Sequence, residues 1–566
     1  MKRFLSLLII TCSPLWAWGQ FSYDGDSACK PFSAAPSVSG AFRFAVIADR
    51  CGGERPGVFR QGAERVREYD PDFVVSIGDL IDGYTTDRAY ATRQWEEFET
   101  LRQLFGAPLF YTPGNHDYSN AVLAALWNER FGCSYYSFRI GASLFLILNS
   151  EEKLENGRTG ISDVQAEYFL RVLAQETSGA PMFVVMHTPL WFTGTDSNYN
   201  RLEEQFLRRN VTVFSGHTHR YYHADKCGRP HYNLATMGGD SRMRGVSMGE
   251  FDHFLVVDVC DGKSTIRNVS VDGTLLPLDA VDEQSRVPVE QLAEEQWLHV
   301  VPTVSREART DALATDLVLS NPSELPLLVS FEAPRLPGIR FEPERFSHEV
   351  AGNSSDTISL RILFDQTRQI DDLPPLVVTC RGTYRIAGRE VSAPASKRWL
   401  VDCIRTCGTE PIDLLVDDPL YVHESWDWHS VADGSFRFEV SQVGSRIELR
   451  IETMDDHLIT NADPRMLQDR LVVLFTPEGG PTRRVELAAG TAVDDAYRAE
   501  CHAIENGLEA QVSFPSDGIR LFNLNIGFVD CDNVLNTKPS QLWWRPLDKH
   551  ANAHADYGTF LVDPYH

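Results

Sequence analysis

The sequence predicts three folded parts: an α/β domain followed by two β-sandwich domains. The chain has 566 residues, too many for one hydrophobic core, and the usual domain size gives about three or four parts. Short apolar runs alternate with amphipathic segments from residue 41 to about residue 272, and mainly strand-like runs follow. A hydrophobic content of 43% with 39 Gly and 30 Pro is typical of folded domains joined by turns.

The α/β prediction rests on six apolar runs that are rich in β-branched and aromatic residues. Nearly continuous apolarity is expected of strands buried on both faces. Amphipathic segments between the runs predict helices, the first of which follows Pro56, a residue favoured at helix entry. The predicted strands are 42–48, 73–77, 109–112, 144–148, 183–186 and 211–214, and the predicted helices include 57–69, 88–104 and 163–175.

The rest of the chain is predicted to form a linker and two β-sandwiches. Residues 276–300 contain an acidic, irregular stretch, which indicates a linker. Residues 301–405 carry short strands separated by turn residues, similar to an immunoglobulin-like or fibronectin-like sandwich. In residues 406–566, apolar and polar residues alternate through 436–440 and 447–451, which predicts a hairpin with one buried face.

The N-terminus predicts export. Lys2 and Arg3 precede an apolar run at 4–12, and the small residues Ala17 and Gly19 follow. These are the parts of a secretory signal at residues 1–19, cleaved before Gln20, with a buried N-terminal helix as the alternative. Residues 20–40 are then an N-terminal segment of a secreted or periplasmic protein. No later run is long enough to predict a membrane span.

Cysteine content and charge narrow the environment further. Ten of the eleven cysteines follow the cleavage point, and an even number in an exported chain predicts that most form structural disulfides. The net charge is −26, from 79 acidic and 53 basic residues. Such a surface repels phosphate backbones, so we expect no binding to a nucleic-acid scaffold. An anionic substrate remains compatible, because metal ions invert the local field.

Polar side chains follow the predicted strands of the first domain. In α/β sheets, the carboxyl ends of strands are where sites assemble. Gly216 is expected to take an unusual backbone conformation that lets two imidazoles converge, and Gly78 and Gly114 to do the same before their own polar residues. The side chains at the strand ends are Asp49, Asp79, Asn115, His116, His187, His217 and His219.

The order of these blocks resembles the calcineurin-like metallophosphoesterase superfamily, whose motifs run D-x-H, G-D, G-N-H-[D/E], H and G-H-x-H. The matching residues are Gly78-Asp79, Gly114-Asn115-His116-Asp117, His187 and Gly216-His217-Thr218-His219, preceded by Asp49. The resemblance covers residues 41–275. It implies a four-layer α/β/β/α sandwich around a binuclear metal site, related to that of the purple acid phosphatases.

The resemblance also implies a role for each residue. Asp49 and His219 would bind the first metal and Asp79 would bridge both, while Asn115, His187 and His217 would bind the second. Mixed oxygen and nitrogen ligands favour Fe, Mn or Zn. A metal-bridging hydroxide would attack the phosphate ester, with His116 as the general acid. Asp82 would orient His116 by a hydrogen bond, and Asp117 would support the ligands without binding metal.

The first motif departs from the family. It reads Asp49-Arg50-Cys51, where a histidine is usual at the third position. Purple acid phosphatases also lack that histidine but carry a tyrosine at the position of Asp82. A Cys51 thiolate is one candidate replacement ligand; a buried or disulfide-bonded Cys51 is the alternative. Arg50 is a candidate phosphate contact, or else a surface or salt-bridged arginine.

The last part of the chain is similar to sugar-binding β-sandwich modules of family nine. Its four tryptophans predict either a flat face for a polysaccharide or cell-surface glycan, or core packing. They are Trp426, Trp428, Trp543 and Trp544.

For the whole chain, the leading functional prediction is an exported, metal-dependent phosphoesterase acting on phosphomonoesters or phosphodiesters. The alternative is a non-catalytic carbohydrate- or surface-binding protein with a degenerate phosphoesterase domain.

Overall fold

The computed structural model divides the chain into two compact units, Met1–Arg286 and Val287–His566. The predicted signal peptide lies outside the described residues. Within the part that the structure describes, no helix combines the length and apolarity that crossing a bilayer requires. The described residues are 21–23, 29–38, 40–154, 157–370, 372–374, 376–417, 422–424, 428, 430–460, 468–531, 539–545 and 558–562.

The first unit alternates strands and helices. Its strands are β1 (Phe21–Ser22), β2 (Phe42–Ile47), β3 (Phe73–Ser76), β4 (Leu109–Phe110), β5 (Tyr136–Ile140), β6 (Ser143–Ile147), β7 (Glu152–Lys153), β8 (Thr159–Gly160), β9 (Met182–Val185), β10 (Val211–Ser215), β11 (Tyr222–Lys226), β12 (Arg229–Asn233), β13 (His253–Cys260), β14 (Lys263–Ser270) and β15 (Leu275–Leu276). Its helices are α1 (Val58–Glu68), α2 (Arg88–Arg102), α3 (Asn115–Tyr118), α4 (Ala121–Phe131), α5 (Asp163–Ala174), α6 (Leu190–Thr193) and α7 (Ser197–Phe206).

Two sheets form the centre of this unit. One has the strand order β1-β5-β6-β9-β10-β12-β11 and the other β15-β14-β13-β2-β3-β4. Neighbours β2, β3 and β4 are parallel, as are β6, β9 and β10. The sheets pack face to face through aromatic side chains, with the Phe44 ring edge-on to the Phe183 ring at 4.9 Å.

Helices cover the outer faces of both sheets. The Arg65 side chain of α1 donates a hydrogen bond to Val271 O, at the end of β14, at 3.5 Å. On the other side, the Tyr168 hydroxyl of α5 accepts a hydrogen bond from Ser137 N of β5 at 3.1 Å. The four-layer prediction is therefore confirmed. The predicted helices begin and end within two residues of the observed ones, whereas the sequence did not indicate α4, α7 or the β13–β14 hairpin.

The second unit contains strands and one helix among its described residues. The helix α8 (Arg286–Glu294) begins at the unit boundary and lies where the sequence indicates an irregular linker. The first strands are β16 (Leu298–Val300), β17 (Thr303–Ser305), β18 (Arg309–Asn321), β19 (Leu327–Glu332), β20 (Ile339–Glu342), β21 (Arg345–Val350), β22 (Ser354–Gln369), β23 (Leu376–Ile386), β24 (Arg389–Trp399) and β25 (Val401–Cys403). The later strands are β26 (Arg405–Cys407), β27 (Ile412–Val416), β28 (Val422–Glu424), β29 (Ser435–Val443), β30 (Arg446–Met454), β31 (Arg470–Pro477), β32 (Arg483–Leu487), β33 (Ala492–Asp494), β34 (Arg498–Ile504), β35 (Gly507–Pro515), β36 (Leu521–Asp530), β37 (Ser540–Trp543) and β38 (Gly558–Val562).

These strands form two sandwiches. In the first, sheet β16-β18-β22-β20 accompanies sheet β21-β19-β23-β24. In the second, β26-β38-β36-β31-β32 accompanies β27-β29-β30-β35-β34-β33. The predicted hairpin is β29–β30, with Val440 opposite Leu449. Every second residue of these strands is buried because alternate side chains point into the sandwich.

The tryptophans of the last sandwich pack inward. Trp543 is 2% and Trp544 3% exposed, and Trp544 lies edge-on to Phe438 at a ring distance of 4.9 Å. These two side chains therefore form core rather than a sugar-stacking face. Trp428 is half-buried and donates a hydrogen bond to Gly434 O at 3.0 Å, and Trp426 lies outside the described residues. Binding of a polysaccharide or glycan stays a prediction.

Most described cysteines are not joined in disulfides, which corrects the prediction from their number. Cys29 and Cys133 form one disulfide. A buried cysteine packs as a small hydrophobic side chain, and such packing leaves no need for a partner thiol. Free thiols occur at Cys51, Cys227, Cys260, Cys380, Cys407 and Cys501.

Candidate metal centre and active site

Five loops bring the predicted ligands to one edge of the two central sheets. The edge is formed by the carboxyl ends of parallel strands, where each chain leaves its sheet. Strands of both sheets contribute, so the site lies across the top of the sandwich. Asp49 follows β2, Asp79 follows β3, Asn115 begins α3 after β4, His187 follows β9, and His217 and His219 follow β10.

The backbone at this edge is strained at the ligands themselves. Asp79, His217 and His219 have φ angles of 54°, 73° and 51°, in the left-handed region. Each such residue costs on the order of 1–3 kcal/mol and is typical of functional sites. Gly78 takes the expected positive φ, 107°. Gly114 and Gly216 do not, which corrects the role predicted for both.

Gly216 is instead required by close packing. A Cβ atom at this position would lie 2.6 Å from Asp49 Oδ1 and would also collide with the Ile77 side chain. Gly114 likewise lies against the backbone and carboxylate of Asp79. These glycines therefore let neighbouring loops approach, while the histidines themselves take the unusual dihedral angles.

The first group of ligand atoms belongs to Asp49, Asp79 and His219, which lie within 4.8 Å of one another. His219 Nε2 is 3.4 Å from Asp49 Oδ2. His219 Nδ1 is 2.6 Å from the backbone oxygen of Asp240. A carbonyl oxygen can only accept a hydrogen bond, so Nδ1 carries the proton and the lone pair of Nε2 faces the carboxylates. Asp49 Oδ1 is buried without a hydrogen-bond partner, as expected of an oxygen that binds a cation.

The second group shares Asp79 and adds His187 and His217. His187 Nε2 lies 3.2 Å from Asp79 Oδ2. Asn115 Oδ1 is 2.8 Å from His187 Nε2 and 2.7 Å from His217 Nδ1, so the carboxamide oxygen belongs to the same group. His187 Nδ1 donates to Ile77 O at 3.0 Å, which directs Nε2 toward the ligands.

The charges and burial of the two ligand groups also favour a positive charge between them. Burial favours neutral His187, but the carboxylates of Asp79 and Asp49 outweigh it and raise the pKa of His187 to about 10. Burial raises the pKa of Asp49 to about 6 despite the nearby His187 and His219. Burial and His187 lower the pKa of His217 to about 4, so its lone pair is available. The two groups together fit a pair of metal ions that share Asp79.

His116 lies beside both groups without joining either. Its backbone N–H donates to Asp79 Oδ1 at 2.9 Å, and its Nδ1 donates to Asp82 O at 2.6 Å. Asp82 thus orients the imidazole through its backbone carbonyl, not through its carboxylate, which is exposed. This corrects the predicted side-chain contact. A Cβ atom on Gly52 would lie 3.2 Å from His116 Nε2 and 3.0 Å from the His219 ring, so Gly52 keeps that nitrogen accessible.

Asp117 supports the loops that carry the ligands. Its carboxylate accepts hydrogen bonds from Leu80 N and Gly114 N, both at 2.9 Å, and from Ile81 N at 3.2 Å. Burial and the charge of Asp79 raise the pKa of Asp117 to about 7. The carboxylate joins the loop after β3 to α3 and belongs to neither ligand group.

Sequence reasoning missed Tyr84. The Tyr84 hydroxyl accepts a hydrogen bond from Asn115 Nδ2 at 2.9 Å, and its ring lies edge-on to His116 at 4.8 Å. Tyr84 itself has a φ of 46°. The contact fixes the Asn115 amide so that its oxygen faces the histidines. Only its proximity to Asp79 in sequence could have pointed to it.

Two predicted roles are not supported by the contacts. Cys51 is fully buried, belongs to neither ligand group, and receives an Arg50 Nη1 contact at 3.6 Å on its sulfur. Burial raises the pKa of the Cys51 thiol well above its usual range. Arg50 is 2% exposed and donates to Glu54 at 2.8 Å and Glu97 at 2.6 Å. Its fork is therefore occupied by carboxylates of this chain and is not directed at a phosphate.

Comparison with known proteins agrees with this geometry. A model of calcineurin-like phosphoesterases matches residues 42–221. A serine/threonine-protein phosphatase CPPED1 from Pongo abelii is 30% identical over 223 residues, which cover 36% of this chain and 68% of the relative. The CPPED1 of Rattus norvegicus is 27% identical over 242 residues, covering 39% and 75%.

Among solved structures, a dimetal phosphatase from Danio rerio has a TM-score of 0.32 and 16% identity, and the match covers 41% of this chain and 97% of that one. A family 9 carbohydrate-binding module from Caldicellulosiruptor kristjanssonii in complex with cellotriose has a TM-score of 0.21 and 10% identity, covering 28% and 93%. The matched sequence blocks and their convergence at one sheet edge lead to a single conclusion. The chain belongs to the calcineurin-like phosphoesterase family and is a phosphoric ester hydrolase.

Proposed function

We propose that this protein is an exported, two-metal phosphatase that hydrolyses phosphomonoesters, with serine- or threonine-phosphorylated protein as the substrate class. The observation that carries the proposal is the pair of ligand groups that overlap at Asp79. The choice of a monoester follows the curated relatives, which are described as serine/threonine-protein phosphatases. A phosphodiesterase is the alternative, and the substrate panel below distinguishes the two.

The chain supplies the ligands that two transition-metal ions require. Asp49 and His219 would hold one ion, Asn115, His187 and His217 the other, and Asp79 both. Fe, Mn or Zn suits these mixed oxygen and nitrogen donors. A pair of such ions, when bound, lowers the pKa of a water and neutralises charge on the phosphate. The hydrogen bonds of His187 and His219 to backbone carbonyls hold their rings in the orientation for binding.

His116 is the group placed to deliver a proton to the leaving oxygen. Its Nδ1–H is committed to the Asp82 carbonyl, so His116 has a proton to transfer only in the imidazolium form, which is protonated on Nε2 as well. Gly52 leaves space around Nε2, because it has no side chain to cover the imidazole. Proton transfer from a histidine held in this way speeds the reaction by about 10²–10⁴-fold over departure of an unprotonated leaving group.

Export is supported by two features of the chain. The N-terminal residues have the composition of a secretory signal. The Cys29–Cys133 disulfide is typical of proteins that mature in an oxidising compartment. Cell fractionation with N-terminal sequencing would check this: we expect the mature chain outside the cytoplasm, beginning at Gln20, and a cytoplasmic chain beginning at Met1 would contradict it.

A substrate panel tests the activity. The full chain, reconstituted in turn with Mn²⁺, Zn²⁺ and Fe²⁺, would be assayed on a phosphoserine peptide, p-nitrophenyl phosphate and bis(p-nitrophenyl) phosphate. We expect turnover of both monoesters, loss of activity with a chelator, and recovery when the metal is restored. Preference for the diester would overturn the substrate proposal. No turnover of any ester would favour the non-catalytic binding protein instead.

Substitution of Tyr84 tests how the second metal site is oriented. In Tyr84→Phe, the Asn115 amide loses the hydroxyl that accepts from its Nδ2, so the carboxamide is free to rotate. Removing such a partner of a metal ligand costs about 10- to 100-fold in metal affinity. We expect the affinity for the second metal to fall by this factor in a metal titration, while excess metal restores the rate. Unchanged affinity would show that Tyr84 does not position Asn115.

A further inference from the structure

One exposed loop beside the metal centre begins at Asp240 and ends at Gly245. Asp240 O accepts the hydrogen bond from His219 Nδ1 at 2.6 Å, and Asp240 N donates to Gly52 O at 2.8 Å. Gly52 in turn borders His116 Nε2. The first residue of the loop therefore contacts a ligand of the first group and also the glycine that lies next to His116.

The far end of the loop is held by Glu250, which is 3% exposed. Gly245 N donates to Glu250 O at 3.1 Å, and Glu250 N donates to Gly245 O at 3.2 Å. The Arg244 guanidinium donates to the Glu250 carboxylate through Nε at 2.9 Å and through Nη2 at 2.5 Å. Both ends of the loop are therefore anchored, and its tip lies between the two anchors.

Met243 lies at this tip in a backbone conformation that methionine rarely adopts. Its φ is 52°, in the left-handed region that favours Gly, Asn, Asp and His. Its side chain is 43% exposed, so packing within this chain offsets little of the backbone cost. Such strain persists only where the surrounding structure imposes it, and it is typical of active sites and ligand contacts. The neighbouring Arg242 is also exposed, and a positive charge favours an anionic, phosphorylated partner.

The tip lies within reach of residues that flank a phosphorylated residue at the metal centre. Met243 follows Asp240 by three positions, and three residues of extended chain span at most about 11 Å. A substrate residue three positions from the phosphorylated one is separated from it by the same distance at most. A flanking side chain can therefore meet Met243 while the phosphate lies at the ligand groups.

We propose that Met243 is a specificity-determining contact for an apolar side chain within three residues of the phosphorylated serine or threonine. This inference rests on the proposed function, because it requires a phosphorylated polypeptide as the substrate. Methionine suits such a contact, since its flexible thioether side chain adapts to apolar groups of various shapes. The anchored loop loses little conformational freedom when the substrate binds, which favours affinity.

Kinetics of the metal-loaded full chain on a set of phosphoserine peptides tests the inference. Each peptide carries one leucine at one of the three positions before or after the phosphoserine, and the reference peptide has alanine there. Met243→Gly removes the side chain and keeps the left-handed backbone without strain, whereas Met243→Leu keeps an apolar side chain. We expect wild type to prefer at least one leucine peptide by about tenfold in kcat/KM, through a lower KM. Met243→Gly should lose this preference and Met243→Leu should retain it.

The control is Met454→Ala, which removes a methionine that is 50% exposed in β30 and should keep the wild-type preference. Thermal unfolding separates recognition from a structural role. If Met243→Gly unfolds at a lower temperature and keeps the leucine preference, Met243 is structural and the inference is wrong. It is also wrong if wild type hydrolyses the leucine and alanine peptides equally well. If wild type hydrolyses p-nitrophenyl phosphate but none of the peptides, the proposed substrate class is wrong, and this inference with it.

Discussion

Substitution His116→Gln is expected to lower kcat for a phosphoserine peptide by about 10²–10⁴-fold. Glutamine retains a polar group of similar length but has no ring nitrogen that transfers a proton. The backbone N–H of residue 116, which donates to Asp79 Oδ1, is preserved, so the ligand groups keep their arrangement. Steady-state kinetics with metal analysis checks this, and the variant should contain as much metal as wild type.

The effect of His116→Gln should depend on whether the leaving group needs a proton. p-Nitrophenolate leaves without needing a proton, so His116→Gln should reduce turnover of p-nitrophenyl phosphate by only about tenfold or less. The control His299→Gln changes an exposed histidine of β16 and should leave both rates unchanged. Equal losses on the two substrates would mean that His116 does not act as the general acid.

Substitution Asp79→Asn is expected to remove the metal-dependent activity. The carboxylate belongs to both ligand groups, and a neutral amide supplies neither its charge nor its second anionic oxygen. Loss of a metal contribution of roughly 4 kcal/mol corresponds to about a 10³-fold fall in rate. Metal content, measured by elemental analysis after dialysis, should fall below one ion per chain. Asparagine tolerates the left-handed φ of this position, so the backbone should be retained.

Asp261→Asn is the matched control for that substitution. Asp261 also has a left-handed φ, 50°, and it is exposed in the turn between β13 and β14. The same chemical change there should preserve metal content, rate and unfolding temperature. If Asp79→Asn retained two metals and full activity, the assignment of Asp79 as the shared ligand would be wrong.

The predicted ligands converge in the structure because local sequence places them. Each follows an apolar run that can only be a buried strand, and parallel strands of one sheet end at the same edge. Asp49 and Asp79 therefore had to lie near each other once β2 and β3 paired in parallel. His187 follows a strand of the other sheet, so its place beside them depends on how the two sheets pack. Their neighbours were not determined in this way. The dihedral angles of one loop decide whether Asp82 meets His116 through its carboxylate or through its carbonyl, and in the structure the carbonyl makes the contact.

Partners far apart in sequence were also unpredictable. Arg50 pairs with Glu97 of α2, 47 residues away, and no local pattern indicates which charged side chain a buried guanidinium will meet. The same holds for Cys29 and Cys133, which are 104 residues apart. Such pairs depend on how helices pack on the sheets, which requires the full set of tertiary contacts.

By itself, the sequence determined the order of the three domains, six strands of the first and the ligand types at the ends of those strands, because periodicity and strand termini are local properties. Tertiary structure alone decided that Arg50 meets the carboxylates of Glu54 and Glu97 and that Tyr84 holds Asn115. Those outcomes arise from the packing of distant segments. The energy of a buried charge depends on every group around it, and sequence neighbours are only a few of those groups.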